Sequence, residues 1–134
     1  MSKRMTADDF FTGLFAALAV RGSDFFSIRN ERFDAALAET FANDLRPMAD
    51  AEDIELDFRI RLHPIHGDSL TVRDGISNAA QRDLISLDNP EYQDIRLKLT
   101  PKDAEPILEQ LPASRELFIR VADAFLLKYD LVGV

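Results

Sequence analysis

The sequence predicts an α+β domain, on three observations. Residues Ile54 to Leu62, IELDFRIRL, alternate between apolar and charged side chains, the pattern of a half-buried strand. Ile95, Leu97 and Leu99 alternate with Asp94, Arg96 and Lys98 in a second such run. Around these runs lie segments whose apolar residues recur every three to four positions, the period of a helix packed on one side. The expected architecture is one small sheet with strands near 54–62 and 93–99 and further short strands near 25–29 and 69–73. Four or five helices cover it. The 134 residues form a single domain, 1–134, long enough to bury about two-thirds of the unfolded surface.

Each element has a local justification. Thr6-Ala7-Asp8-Asp9 has the shape of a capping box, with Thr6 as N-cap and Asp9 at the third helical position. Phe10, Phe11, Leu14, Phe15 and Leu18 follow at helical spacing, and Gly22 is the expected stop. The other face, Thr12, Gly13, Ala16 and Ala19, is small rather than charged, which predicts close helix contact inside the fold or between chains. Asp24 to Arg29 is a candidate short strand or apolar turn. Asn30 is placed to cap a helix through Phe33, Leu37, Phe41 and Leu45, which Pro47 should end. Residues Ser69 to Val72 suit a short return strand, and Ile76 to Leu87 a helix closed by the turn residues of DNPEY. Thr100-Pro101 opens another helix, with Pro106 awkward inside it, and Ser114 caps the last. In that last helix, Leu117, Phe118, Ile119, Val121, Ala122, Phe125, Leu126 and Leu127 leave only a narrow polar stripe, so it is either central or an oligomer interface.

Composition narrows the function classes. The chain has no cysteine, which excludes disulfides, Cys-based zinc sites and thiol nucleophiles and suits a reducing cytoplasm. A net charge of −8 counts against a nucleic-acid binder and against docking on anionic lipid, and it favours a basic protein partner. The opening MSKRMTADDFFTGLFAALAV has the outline of a signal peptide, but Asp8 and Asp9 abut an apolar run far shorter than the roughly 20 residues of a membrane span. It is read as a core helix.

Candidate chemistry is sparse. His63-Pro64-Ile65-His66 followed by Asp68 offers an H-x-x-H spacing for a metal or acid–base site. Pro64 breaks a helix, and on a strand positions i and i+3 face opposite ways, so the imidazoles do not converge. Arg61 and His66 are similar in spacing to the R-x4-H pattern of a class of all-helical ribonuclease domains, which would imply hydrolysis at 61–68. The expectation from the residues themselves is that His63 ends the strand and that residues 66–68 make a hairpin turn. No nucleotide-binding or hydrolase motif occurs, and neither a catalytic residue, a metal nor a cofactor is expected. The acidic stretch Asp50, Glu52, Asp53, Glu55 and Asp57 reads as a solvated loop and as a candidate patch for a basic partner.

Residues 93–127 run strand, helix, turn, helix, the last beginning SRELFIRVADAFL, and resemble a ribbon–helix–helix module. The resemblance implies a dimeric DNA-binding regulator in which two chains pair their strands. The outward side chains Asp94, Arg96 and Lys98 would then meet bases, and the N-terminus of the helix starting at Ser114 would hold phosphate. Taken together, the residues favour a non-catalytic protein-interaction module: an adaptor, a chaperone-like factor, an immunity- or antitoxin-like inhibitor, or a small complex subunit. It would be cytoplasmic, a homodimer or part of a hetero-complex, working through acidic and apolar surfaces, with the DNA-binding regulator and the hydrolase as alternatives.

Overall fold

A computed structural model describes residues 3–23, 25–27, 32–65, 67, 69–87 and 94–132. The elements in order are β1 (Lys3–Met5), α1 (Ala7–Val20), β2 (Phe25–Ser27), α2 (Arg32–Thr40), a π-helical turn (Phe41–Leu45), α3 (Arg46–Ala51), β3 (Ile54–Leu56), α4 (Leu70–Gln81), β4 (Ile85–Leu87), β5 (Asp94–Leu97), α5 (Pro101–Glu109) and α6 (Arg115–Val132). The fold is α+β, as expected. Its strands form two sheets rather than one: β1 pairs in parallel with β3, and β2-β5-β4 form an antiparallel trio. The two strands expected to share a sheet therefore lie in different ones.

Helix α1 is the centre. Every residue from Phe10 to Ala19 is buried, and the helix packs on α4, α5 and α6. Its small face makes this possible. A Cβ at Gly13 would sit 2.2 Å from the ring of Phe118 on α6, and one at Gly75 on α4 would sit 2.3 Å from the ring of Phe11. The apolar surface of α6 is likewise spent indoors: Leu117, Phe118, Val121, Ala122 and Phe125 are buried, while Leu127 is exposed. The excess of apolar helix surface that suggested an oligomer is thus absorbed by the fold itself. Phe26, Phe33, Phe125 and Tyr129 close one end as an aromatic cluster of edge-to-face and tilted pairs with centroids 5.1–6.0 Å apart.

The local signals at helix ends hold. Thr6 Oγ1 accepts from the Asp9 N–H and Asp9 Oδ2 from the Thr6 N–H, both at 3.1 Å, completing the capping box. At the other end of α1, Gly22 (φ 82°) donates to Ala19 O and Ser23 to Leu18 O, a Schellman stop. Thr100 and Ser114 cap α5 and α6 as expected, and Pro106 is accommodated inside α5. Pro47 does not end its helix. The preceding π turn, in which Arg46 N–H donates to Phe41 O, shifts the backbone register, and Pro47 falls in the first turn of α3 where no N–H is needed.

Two strand assignments change. Residues 69–73 are not a return strand: Ser69 caps α4, accepting from the Val72 N–H at 3.3 Å, and the helix begins at Leu70 instead of Ile76. That helix stops at Gln81 through a Schellman turn with Asp83 at φ 61°, and β4 follows. The strand at 54–62 pairs only over 54–56. Its partner β1 ends because Thr6 starts α1, so the last rung is Asp57 N–H to Met5 O at 2.9 Å. The expected strand at 25–29 is paired over 25–27. Asp24, Ile28, Arg29, Asn30 and the DNPEY turn lie outside the described residues.

Candidate interaction site at residues 57–71

Beyond Asp57 the chain stays extended but leaves the ladder. Among the described residues, no backbone-to-backbone hydrogen bond reaches residues 58–62. Side chains seat this segment instead. Ile60 is buried, and the half-buried ring of Phe58 lies 5.3 Å from Phe10 and 5.4 Å from Phe41. Arg59, Arg61 and Leu62 are exposed. The alternation read from the sequence is therefore real as burial, although the strand pairing it predicted stops after three residues.

A turn follows. Gly67 (φ 73°) donates to His63 O at 2.9 Å, and Nδ1 of His63 accepts from the Ile65 N–H at 3.1 Å. The His63 side chain thus serves the turn's own backbone. The turn leads into a helix, so the hairpin expected here does not form. His66 and Asp68 lie outside the described residues. Among the described residues, no three His, Cys, Asp or Glu side chains are gathered as a metal would require.

The far side is anchored in the core. Asp34 of α2 is fully buried, and its Oδ2 accepts from the Ser69 N–H at 2.8 Å with Arg73 Nε 3.7 Å away. This bond fixes the first turn of α4 against α2 and holds Leu70 outward. Between Leu70 and the extended segment lies an open groove of about 730 Å³ lined by Arg59, Arg61, Leu62, His63, Leu70 and neighbours. Its apolar lining is unusual for this chain: Leu70 is 80% exposed and Leu62 39%. Neither Arg59 nor Arg61 makes an ion pair among the described residues.

The acidic stretch is exposed throughout, at Asp50, Glu52, Asp53, Glu55 and Asp57. Glu52 is engaged within the chain. Glu52 accepts from the Ser114 N–H at 3.0 Å and from the Ser114 hydroxyl at 2.5 Å, so a carboxylate of the chain itself occupies the N-terminus of α6. That is the position at which the ribbon–helix–helix resemblance would place a phosphate. The resemblance fails at the strand too. β5 is the central strand, bonded to β2 on one side and β4 on the other, so it offers no edge to a second chain. Lys98 is paired with Asp83 at 3.2 Å, and Arg96 is in register with Phe25 and Ser86. The groove at 59–71 was missed by sequence reasoning, because its walls are set by tertiary anchors. The one available signal was the pair of apolar residues Leu62 and Leu70 on either side of a turn-like stretch.

Among the described residues, no helix is long and apolar enough to cross a membrane. Comparisons with protein-family models, with curated proteins and with solved structures find no match to this chain.

Proposed function

We propose that this domain is a non-catalytic protein-interaction module, serving as an adaptor, chaperone-like factor, immunity- or antitoxin-like inhibitor or small subunit of a larger complex. The observation that carries the reading is the pairing of two exposed apolar side chains, Leu62 and Leu70, in one groove, in a chain most of whose large apolar side chains are buried in its core. Exposed apolar side chains gathered at one place are what a partner covers on binding. The acidic side chains of Asp50, Asp53, Glu55 and Asp57 supply a second surface suited to a basic partner, acting mainly on association rate and selectivity. In this reading the domain works in the cytoplasm, as a homodimer or within a hetero-complex.

The test is a pull-down of the tagged chain from its native host, with and without nuclease, alongside a Leu62→Ser/Leu70→Ser variant. The expected result is a stoichiometric protein that survives nuclease and is lost with the variant. Recovery of nuclease-sensitive DNA alone would replace this reading with a DNA-binding one. A partner retained equally by the variant would move the interface away from the groove.

A further inference from the structure

The interaction reading leaves open what kind of segment fills the groove, and the backbone beside it supplies the constraint. Residues 54–62 carry the alternating pattern of a nine-residue strand, yet only 54–56 are paired. The remainder is already extended and pinned to the core by Phe58 and Ile60, and no backbone hydrogen bond among the described residues engages 58–62. Ordering an extended chain is the main entropic cost of adding a strand, and here one partner is ordered beforehand. Backbone N–H and C=O groups lined up in this way are the template that a second extended chain pairs with.

Charge specifies the incoming chain. In a protein of net charge −8, the groove is lined by Arg59, Arg61 and His63, two positions apart on one side of the extended segment. Both arginines lack an ion-pair partner among the described residues. Side chains two apart on a strand are spaced by about 6.7 Å, so carboxylates at alternate positions of a second strand would meet both guanidinium groups at once. The apolar residues between them would lie against Leu62 and Leu70.

Resting on the interaction reading above, we infer that residues 58–62 are a docking edge for an extended, acidic segment of a partner protein. The segment adds as a strand beside Phe58 to Leu62, sets alternate Asp or Glu side chains against Arg59 and Arg61, and buries apolar side chains on Leu62 and Leu70.

The probe is a capped decapeptide of alternating Glu and Val, with a Lys/Val peptide of the same length as control, titrated into the full chain and followed by amide NMR. The Glu/Val peptide should shift the amides of residues 58–62 and slow their hydrogen exchange, with affinity falling as salt rises. Arg59→Glu/Arg61→Glu should weaken it on the order of tenfold or more, with an unchanged thermal melt because both side chains are exposed and, among the described residues, outside any ion pair. Equal binding of the Lys/Val peptide, shifts mapping elsewhere, indifference to the double charge reversal, or no shift at millimolar peptide would each overturn strand addition. These failures are distinct from failure of the interaction reading, which is decided by whether a host protein is retained through Leu62 and Leu70.

Discussion

Helix α1 and the segment 57–65 show opposite uses of a strong local pattern. In α1 the helical period and the small residues are both satisfied inside the chain, with ten consecutive buried residues and ring-to-backbone contacts at Gly13. In 57–65 the strand period is satisfied as burial of Phe58 and Ile60, and among the described residues the backbone of 58–62 forms no ladder. The difference lies in what each pattern needs from elsewhere. A helix closes its hydrogen bonds within itself, whereas a strand depends on a neighbour, and here β1 turns away at Thr6 to become α1. The capping box that starts the best-packed helix is thus the reason the neighbouring strand is left open.

This contrast can be broken most severely at Gly13. Gly13→Val would drive methyl groups into the buried ring of Phe118, and overpacking of this kind should cost about 3 kcal/mol or more by chemical denaturation. Ile65→Ser, on the exposed turn, should stay within about 0.5 kcal/mol of the parent. A Gly13→Val variant as stable as the parent would show that α1 is not tightly enclosed.

Asp34 links the two regions, because its carboxylate holds the start of α4 and so the far wall of the groove. Asp34→Ala leaves the buried Ser69 N–H without this acceptor and should cost about 2 kcal/mol. Asp34→Asn, which keeps an accepting oxygen, should recover part of the loss. NMR shifts in the alanine variant should spread to Leu70 and Thr71. Shifts confined to α2 would show that the anchor does not position the groove.

Gly22 measures how firmly α1 is terminated. Gly22→Ala forces a Cβ into the left-handed region without meeting any neighbour, so its cost should be that of the backbone alone, about 1 kcal/mol. A neutral result would mean that the Schellman stop is dispensable.

The smallest effect concerns Glu105, a partly exposed side chain on α5 that pairs with Arg115 of α6. Hydrogen bonds from the Arg115 guanidinium at 2.7 and 2.8 Å hold the Glu105 carboxyl below its ordinary value of 4.5, with its positive charge adding to them. A folded-state value below the unfolded one stabilises the fold above the ordinary carboxylate range. That contribution is lost as pH falls through the lowered value. Arg115→Gln should flatten this acid limb of the stability–pH curve and leave neutral stability nearly unchanged. An identical acid limb in the variant would show that the pair is not formed in solution.

What was legible in the sequence follows the same division. The capping box at Thr6 and Asp9, the Gly22 stop and the Thr100 and Ser114 caps are each decided within a few residues, and all were readable. The fate of SLTV at 69–72 was not. Its composition suits a strand, but the Asp34 carboxylate 35 positions away takes the Ser69 N–H and fixes it as a helix cap. Pro47 misled for a related reason, since the π turn before it relocates the proline to a position that tolerates it. The acidic stretch was visible as charge, while the engagement of Glu52 by Ser114 depends on a contact across 62 positions. The groove is the least legible feature, because every wall of it is positioned by such a contact.

The open edge is tested most directly by residue-resolved amide hydrogen exchange on the full chain without any peptide. Residues 58–62 should exchange orders of magnitude faster than Asp57, whose N–H donates to Met5 O, and than the buried turns of α1, since among the described residues their amides have no ladder to open. Protection at 58–62 equal to that of Asp57 would mean that this backbone is already paired in solution, and the docking edge would not exist.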